Sequence, residues 1–130
     1  MKVTYIIDTS ALVEYLKGTE KGLKIKQIIE DGTNDIAFPS VVLAELVSKL
    51  EREGKDGPGI AMRLLDVYGR AMEMEAYTSI NAGSTHAKLR KIEKGISLID
   101  CIIMELAEEN DAYAVTTDDH FKYYKKSIIF

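Results

Sequence analysis

Four carboxylates that are far apart in the sequence stand where a charged side chain is unusual. Asp8 and Asp118 each directly follow an apolar run that predicts a buried strand. Glu45 and Asp100 each interrupt an apolar segment with helical spacing. A charge among apolar residues is costly without a partner, so these four acids are the first candidates for chemistry.

Several carboxylates in one pocket repel each other and raise one another's pKa, a penalty that a divalent cation removes. Ligation by oxygen alone suits Mg²⁺ or Mn²⁺ rather than zinc or copper. Such a centre polarises a phosphoryl oxygen and activates a bound water. Thr9 and Thr116 lie beside the acids and could orient ligands or water, whereas for Ser10 and Thr117 we favour hydrogen bonds of the turn and strand end.

The two acids at strand ends also have a structural explanation. Asp8 could simply cap the following helix, because Asp, Ser and Thr are all preferred at that position. Asp118 and its neighbour Asp119 could be ordinary turn residues.

The two helical acids have structural alternatives as well. Glu45 stands four residues before Lys49, a spacing that supports a helical ion pair of ~0.3 kcal/mol. Asp100 follows Ser97 with the spacing of a capping box. These explanations cover each acid separately, but they do not account for all four lying at one edge of the predicted sheet.

The elements that must position these acids alternate between strands and helices. This alternation predicts an α/β fold: a single three-layer αβα domain with a central, mostly parallel sheet. Ser40 is the expected N-cap of the third helix, and the loop 54–59 is the expected tip of a helical arm. We expect strands at 3–7, 35–38, 72–77, 112–117 and, at an edge, 127–130, and helices at 11–17, 21–30, 41–53, 60–68, 78–93 and 97–110.

This topology brings the acids together. Asp8 and Asp118 follow strands, and ligands gather at the carboxyl ends of strands in open α/β sheets. Glu45 lies near the start of a helix that follows a strand, and such helices begin at that edge. Asp100 lies in the first turn of a helix that must run antiparallel to the next strand, so it starts at the same edge.

Length and composition are those of one globular domain, 1–130. Cys101 is the only cysteine, so no disulfide can form within the chain, as is typical of a reducing compartment. The first residues carry too short an apolar run for a signal peptide, and no stretch approaches the ~18 apolar residues of a membrane span. We therefore expect a cytoplasmic protein. The net charge of -4 argues against a general nucleic-acid coat, but not against acids concentrated in a metal pocket.

Four motifs resemble the PIN-domain ribonucleases, specifically the VapC-type toxins of prokaryotic toxin–antitoxin pairs. They are IDTSAL at 7–12, PSVVLAEL at 39–46, LIDCII at 98–103 and TTDDHF at 116–121. Each motif is degenerate, but their order and spacing cover nearly the whole chain.

The resemblance implies an endoribonuclease dependent on Mg²⁺ or Mn²⁺. It also implies a homodimer that is neutralised by a small antitoxin, whose tail lies over the active site. Thr116 matches a hydroxyl residue of the family, and Asp119 occupies a variable position where it could replace or assist Asp118. The implied acidic quartet is Asp8, Glu45, Asp100 and Asp118.

Basic residues near these motifs could contact the phosphates of RNA, with tyrosines between them for base stacking. The alternative is a solvated helix face and a lysine-rich tail, which is the commoner origin of such charge runs. The candidate contacts are Lys88, Arg90, Lys91 and Lys122, with Lys94, Lys125, Lys126, Tyr123 and Tyr124 nearby.

Two other functions compete with this hypothesis. One is a metal-independent nuclease that uses His86 and His120 as acid and base. The other is a non-catalytic metal-binding or protein-interaction α/β module, in which the acids hold a structural cation or only cap helices. A receiver-type phosphoacceptor domain fits poorly, because no aspartate follows the expected strands that end at Phe38 and Tyr77.

Overall fold

The computed structural model describes residues 2–130, which form one sheet of five parallel strands flanked by helices. The sheet has the order β3-β2-β1-β4-β5, which confirms the predicted α/β class and the parallel pairing. The strands are β1 Thr4–Ile7, β2 Asp35–Pro39, β3 Arg70–Met72, β4 Tyr113–Thr116 and β5 Ser127–Ile129.

In the described part of the chain, six α-helices and one short 3₁₀ helix connect the strands. Their apolar faces meet the sheet in one continuous core, and the central strand β1 contributes the fully buried Ile6 and Ile7. None of the helices within residues 2–130 is long and apolar enough to cross a bilayer. The helices are α1 Thr9–Lys17, α2 Glu20–Ile29, α3 Ser40–Arg52, α4 Gly57–Val67, α5 Ala76–Leu89 and α6 Leu98–Glu109, and the 3₁₀ helix is Asp119–Tyr123.

The strand expected at 72–77 is wrong for most of its length. β3 pairs with β2 only over Arg70–Met72, and α5 already begins at Ala76. Met74 and Tyr77, which suggested alternation, are exposed, so the apolar residues of this segment do not define a buried sheet face. α5 also ends at Leu89, four residues before the expected end.

The helical arm begins and ends differently from the prediction. Pro39, not Ser40, occupies the N-cap position of α3, and Ser40 is the first helical residue. α4 begins at Gly57 because the Asp56 side chain accepts a hydrogen bond from the Gly59 N–H, a capping contact that we did not expect.

Candidate metal centre

Asp8 is held at the carboxyl edge of the sheet by two hydroxyl groups. β1 pairs with β4 so that Ile7 lies opposite Val115, and the Asp8 N–H continues the ladder by donating to Val115 O at 2.9 Å. The Asp8 Oδ2 accepts hydrogen bonds from Ser10 Oγ and Thr116 Oγ1, each at 2.8 Å. Asp8 does occupy the N-cap position of α1, but among the described residues its side chain makes no capping hydrogen bond.

The Asp8 carboxylate is in an unfavourable electrostatic environment. Only 5% of the residue is exposed, and this burial raises its pKa. The hydrogen bonds from Ser10 and Thr116 oppose the shift, and the negative charge of Asp100 adds to it. A cation beside Asp8 and Asp100 would favour the ionised carboxylates.

The same hydroxyl groups connect Asp8 to the end of β4. Thr116 Oγ1 accepts a hydrogen bond from the Asp118 N–H at 3.0 Å, and Ser10 Oγ accepts one from the Thr117 N–H at 3.0 Å. Ser10 thus makes the strand-end hydrogen bond that we favoured and in addition contacts the Asp8 carboxylate directly. Thr117 contributes a strand-end hydrogen bond, as expected.

Asp100 performs a structural role and faces the centre at the same time. The capping box is present, with Asp100 N–H donating to Ser97 Oγ at 3.0 Å and Ser97 N–H donating to Asp100 Oδ2 at 3.3 Å. His120 Nδ1 lies 3.6 Å from the same Oδ2, and the Asp100 side chain is 13% exposed. The capping hydrogen bonds hold the Asp100 carboxylate in an orientation that faces the centre. A capping role and a metal-binding role of Asp100 therefore do not exclude each other.

Asp118 and His120 complete a compact group with Asp100. Asp118 caps the 3₁₀ helix by accepting a hydrogen bond from the His120 N–H at 2.8 Å. His120 Nδ1 lies 3.3 Å from Asp118 Oδ1. One ligand atom from each of Asp100, Asp118 and His120 lies within 4.8 Å of the others. Two carboxylates and an imidazole are a donor set suited to a divalent ion, and the sequence had suggested His120 only as an acid or base.

Glu45 is not part of this group of three. Thr9 Oγ1 donates a hydrogen bond to Glu45 Oε1 at 2.7 Å, and Thr9 directly follows Asp8. The ion pair with Lys49 is absent among the described residues, since Lys49 pairs with Glu53 at 3.2 Å. Glu45 also lines a groove of about 420 Å³ with Thr9, Ala44, Ser48, Lys49 and Arg52.

The remaining predicted site residues are not among the three of this group. Asp119 is exposed on the 3₁₀ helix. Lys122 forms an ion pair with Glu93 at 3.2 Å, so part of its charge is compensated. Arg90 and Lys91 line a shallow groove of about 460 Å³ with Ala87 and Lys94, and Lys88 is exposed at the end of α5.

Cys101 is the next residue after Asp100 on α6 and lies in the core. Only 1% of it is exposed. Burial, followed by the charge of Asp100, raises the pKa of its thiol to about 11, so the thiol is protonated and inert at neutral pH.

Comparison with known proteins gives this arrangement a family context. A sequence profile of the PIN domain matches residues 5–127, whereas no curated protein matches the chain as a relative. VapBC2 from Rickettsia felis, solved with a DNA fragment from its promoter, is 20% identical and has a TM-score of 0.73, covering 98% of each chain.

Two further solved structures are similar to this chain. VapC20 from Mycobacterium tuberculosis, a sarcin–ricin loop cleaving toxin, is 19% identical with a TM-score of 0.74, over 92% of this chain and 93% of that chain. FitAcB from Neisseria gonorrhoeae is 17% identical with a TM-score of 0.71, over 97% and 96% of the two chains. At these identities the likeness shows the shared fold.

Proposed function

The chain belongs to the PIN-domain family, and from this premise we propose that it is an endoribonuclease that requires Mg²⁺ or Mn²⁺. The observation that supports the proposal best is that Thr116 and His120 link acids from three parts of the chain. Thr116 connects Asp8 to Asp118, and His120 lies between Asp118 and Asp100. A bound ion would polarise the scissile phosphoryl group and lower the pKa of the attacking water.

The residues of this chain have distinct roles in the proposal. Asp8, Asp100 and Asp118 would hold the ion, and the Thr116 hydroxyl group positions the Asp8 carboxylate and the main chain of Asp118. Glu45, oriented by Thr9, completes the acidic quartet as a ligand or as the acceptor of the proton from water. Asp119 lies outside the buried part of the centre and could contact the ion through water or assist Asp118.

Arg90 and Lys91 are the better candidates for RNA contacts. Among residues 2–130 neither has an ion-pair partner, whereas Lys122 is paired with Glu93. The acidic centre needs nearby cations if it is to attract a polyanion. Lys88 is exposed in the same region and could add to this attraction.

The family context extends the proposal to partners. We propose that the protein is the toxin of a VapBC-type pair, that it forms a homodimer, and that a small antitoxin neutralises it. The similar R. felis structure contains VapBC2 on a promoter fragment, which supports a paired system for that protein and motivates the same test here.

Cleavage of a fluorophore-quenched RNA tests the enzymatic part of the proposal. We expect cleavage with Mg²⁺ or Mn²⁺, none in excess EDTA, and a loss of at least about 100-fold in Asp8→Asn and Asp100→Asn. Asp111→Asn is the matched control, because Asp111 is exposed outside the centre and its positive φ of 49° suits Asn.

Cleavage that persists in EDTA, or that Asp8→Asn leaves unchanged, would contradict the proposal. If calorimetry finds no Mn²⁺ or Mg²⁺ binding and no RNA is cut, the non-catalytic α/β module is the better description.

A further inference from the structure

His120 places a nitrogen among the acids that are proposed to hold the ion. Its Nδ1 lies 3.3 Å from Asp118 Oδ1 and 3.6 Å from Asp100 Oδ2. Ligands bound about 2.1 Å from one octahedral ion are about 3 to 4 Å apart. The two separations therefore fit atoms that share an ion.

The imidazole is held in this orientation from both sides. The main-chain N–H of His120 donates to Asp118 Oδ1 at 2.8 Å. The next residue, Phe121, is fully buried and anchors the 3₁₀ helix in the core. A Cβ on Gly95 would lie 3.4 Å from His120 Cε1 and 3.5 Å from Nε2. The far edge of the ring thus packs near the Gly95 backbone, and Nδ1 is the nitrogen that faces the carboxylates.

The alternative role of His120 is that of an ion-pair partner for Asp100 and Asp118 in the metal-free protein. The two roles are compatible, because a metal ion replaces the proton on a ligating histidine. They differ in one measurable respect, since only a ligand forms a nitrogen bond to the metal.

We infer that His120 is a direct ligand of the ion and biases the centre toward Mn²⁺ over Mg²⁺, an inference that rests on the proposed metal-dependent function. Mg²⁺ strongly prefers oxygen ligands and retains several waters. Imidazole nitrogen binds transition-metal ions more readily, so one nitrogen among carboxylates raises the affinity for Mn²⁺ relative to Mg²⁺.

Pulsed EPR of the protein with bound Mn²⁺ tests this assignment. The chain has two histidines, and the other one, His86, has its Nε2 3.2 Å from Ile96 O. We expect a ¹⁴N coupling of imidazole type that His120→Asn and His120→Gln abolish and that the matched control His86→Gln retains. Calorimetry should show that the ratio of Mn²⁺ to Mg²⁺ affinity falls about tenfold or more in the His120 variants, with circular dichroism verifying that they are folded.

The outcomes separate this inference from the proposed function. Mn²⁺ bound without imidazole coupling, or coupling that survives in a folded His120 variant, would overturn the assignment of His120 and leave the carboxylate centre intact. If the unvaried protein binds no Mn²⁺ at all, the metal centre itself and the proposed nuclease chemistry are wrong.

Discussion

Asp8 accepts a hydrogen bond from Thr116 at 2.8 Å, although the two residues are 108 positions apart in the sequence. The bond joins the ends of β1 and β4, and Thr116 Oγ1 also accepts the N–H of Asp118. Because the hydroxyl group acts both as donor and as acceptor, it holds the Asp8 carboxylate beside the main chain of Asp118. The centre therefore depends on the register between β1 and β4.

Thr116→Val tests this dependence. Valine preserves the shape but leaves a buried carboxylate with one donor fewer and the Asp118 N–H without its acceptor. We expect a loss of about 1–3 kcal/mol in the free energy of unfolding and Mn²⁺ binding weakened about 10–100-fold. Urea denaturation and calorimetric titration measure the two effects. Thr117→Val is the control, because the hydrogen bond of Thr117 to Ser10 uses its main chain, and equal effects of both variants would contradict the prediction.

Asp8→Asn should change how the stability of the metal-free protein depends on pH. The folded-state pKa of Asp8 is raised by burial and by the charge of Asp100, so the folded protein binds this proton more tightly than the unfolded chain does. The contribution of Asp8 to stability is fully present below its unfolded pKa of about 3.9 and is lost as the pH rises through the folded pKa.

Asparagine cannot ionise, so it does not carry this loss of stability. The free energy of unfolding of Asp8→Asn should therefore increase relative to that of the wild-type protein as the pH increases from about 4 to 7. Urea denaturation in EDTA across this range measures the difference. A difference that does not vary with pH would show that the carboxylate is not destabilised in the fold.

Asp35→Asn should show the opposite dependence on pH. Arg70 donates to Asp35 from Nε at 3.0 Å and Thr4 donates from Oγ1 at 2.9 Å, and these contacts lower the pKa of Asp35, with the Arg70 hydrogen bond contributing most. The stabilisation is present above the unfolded pKa and is lost as the pH falls through the folded pKa.

Because this ion pair is partly exposed, Asp35→Asn should cost only about 0.5–1 kcal/mol near neutral pH. The cost should disappear in acid, and urea denaturation at several pH values measures it. A loss that persists in acid would mean that the change acts through packing and not through charge.

The double variant Arg90→Ala, Lys91→Ala tests the proposed approach of RNA. Each phosphate contact that is removed should reduce the slope of log affinity against log salt by about 0.7 for single-stranded RNA. Fluorescence anisotropy with the inactive Asp100→Asn background measures binding without cleavage. Lys122→Ala is the matched control and should change the slope less, because Lys122 is already paired with Glu93. A larger change of slope in Lys122→Ala than in the double variant would contradict the prediction and would indicate that RNA binds near the 3₁₀ helix.

The strand ends were predictable because the hydrophobic pattern shows where a buried strand stops. This is why the sequence placed Asp8 and Asp118 at one edge, and why the capping box of Asp100 could be read from its spacing to Ser97. These features depend on residues that are close in sequence or on the general topology of parallel sheets.

Other contacts depend on distant packing that no local pattern encodes. Glu45 had a suitable local partner in Lys49, yet it accepts a hydrogen bond from Thr9 on another helix. His120 reaches Asp100 only because the 3₁₀ helix and the start of α6 meet in space. The strand predicted from the alternation at 72–77 was wrong for a related reason, since β3 is an edge strand that pairs over three residues only.

The single cysteine gives the protein an internal reporter of local opening. Cys101 is adjacent to Asp100 but its thiol points into the core, where it is 1% exposed. A thiol-reactive dye can modify it only when α6 separates from the sheet. The labelling rate therefore measures how often the structure opens locally at the start of α6, where Asp100 lies. Ligands that bind there should slow labelling in proportion to their occupancy, even when they have no optical signal of their own.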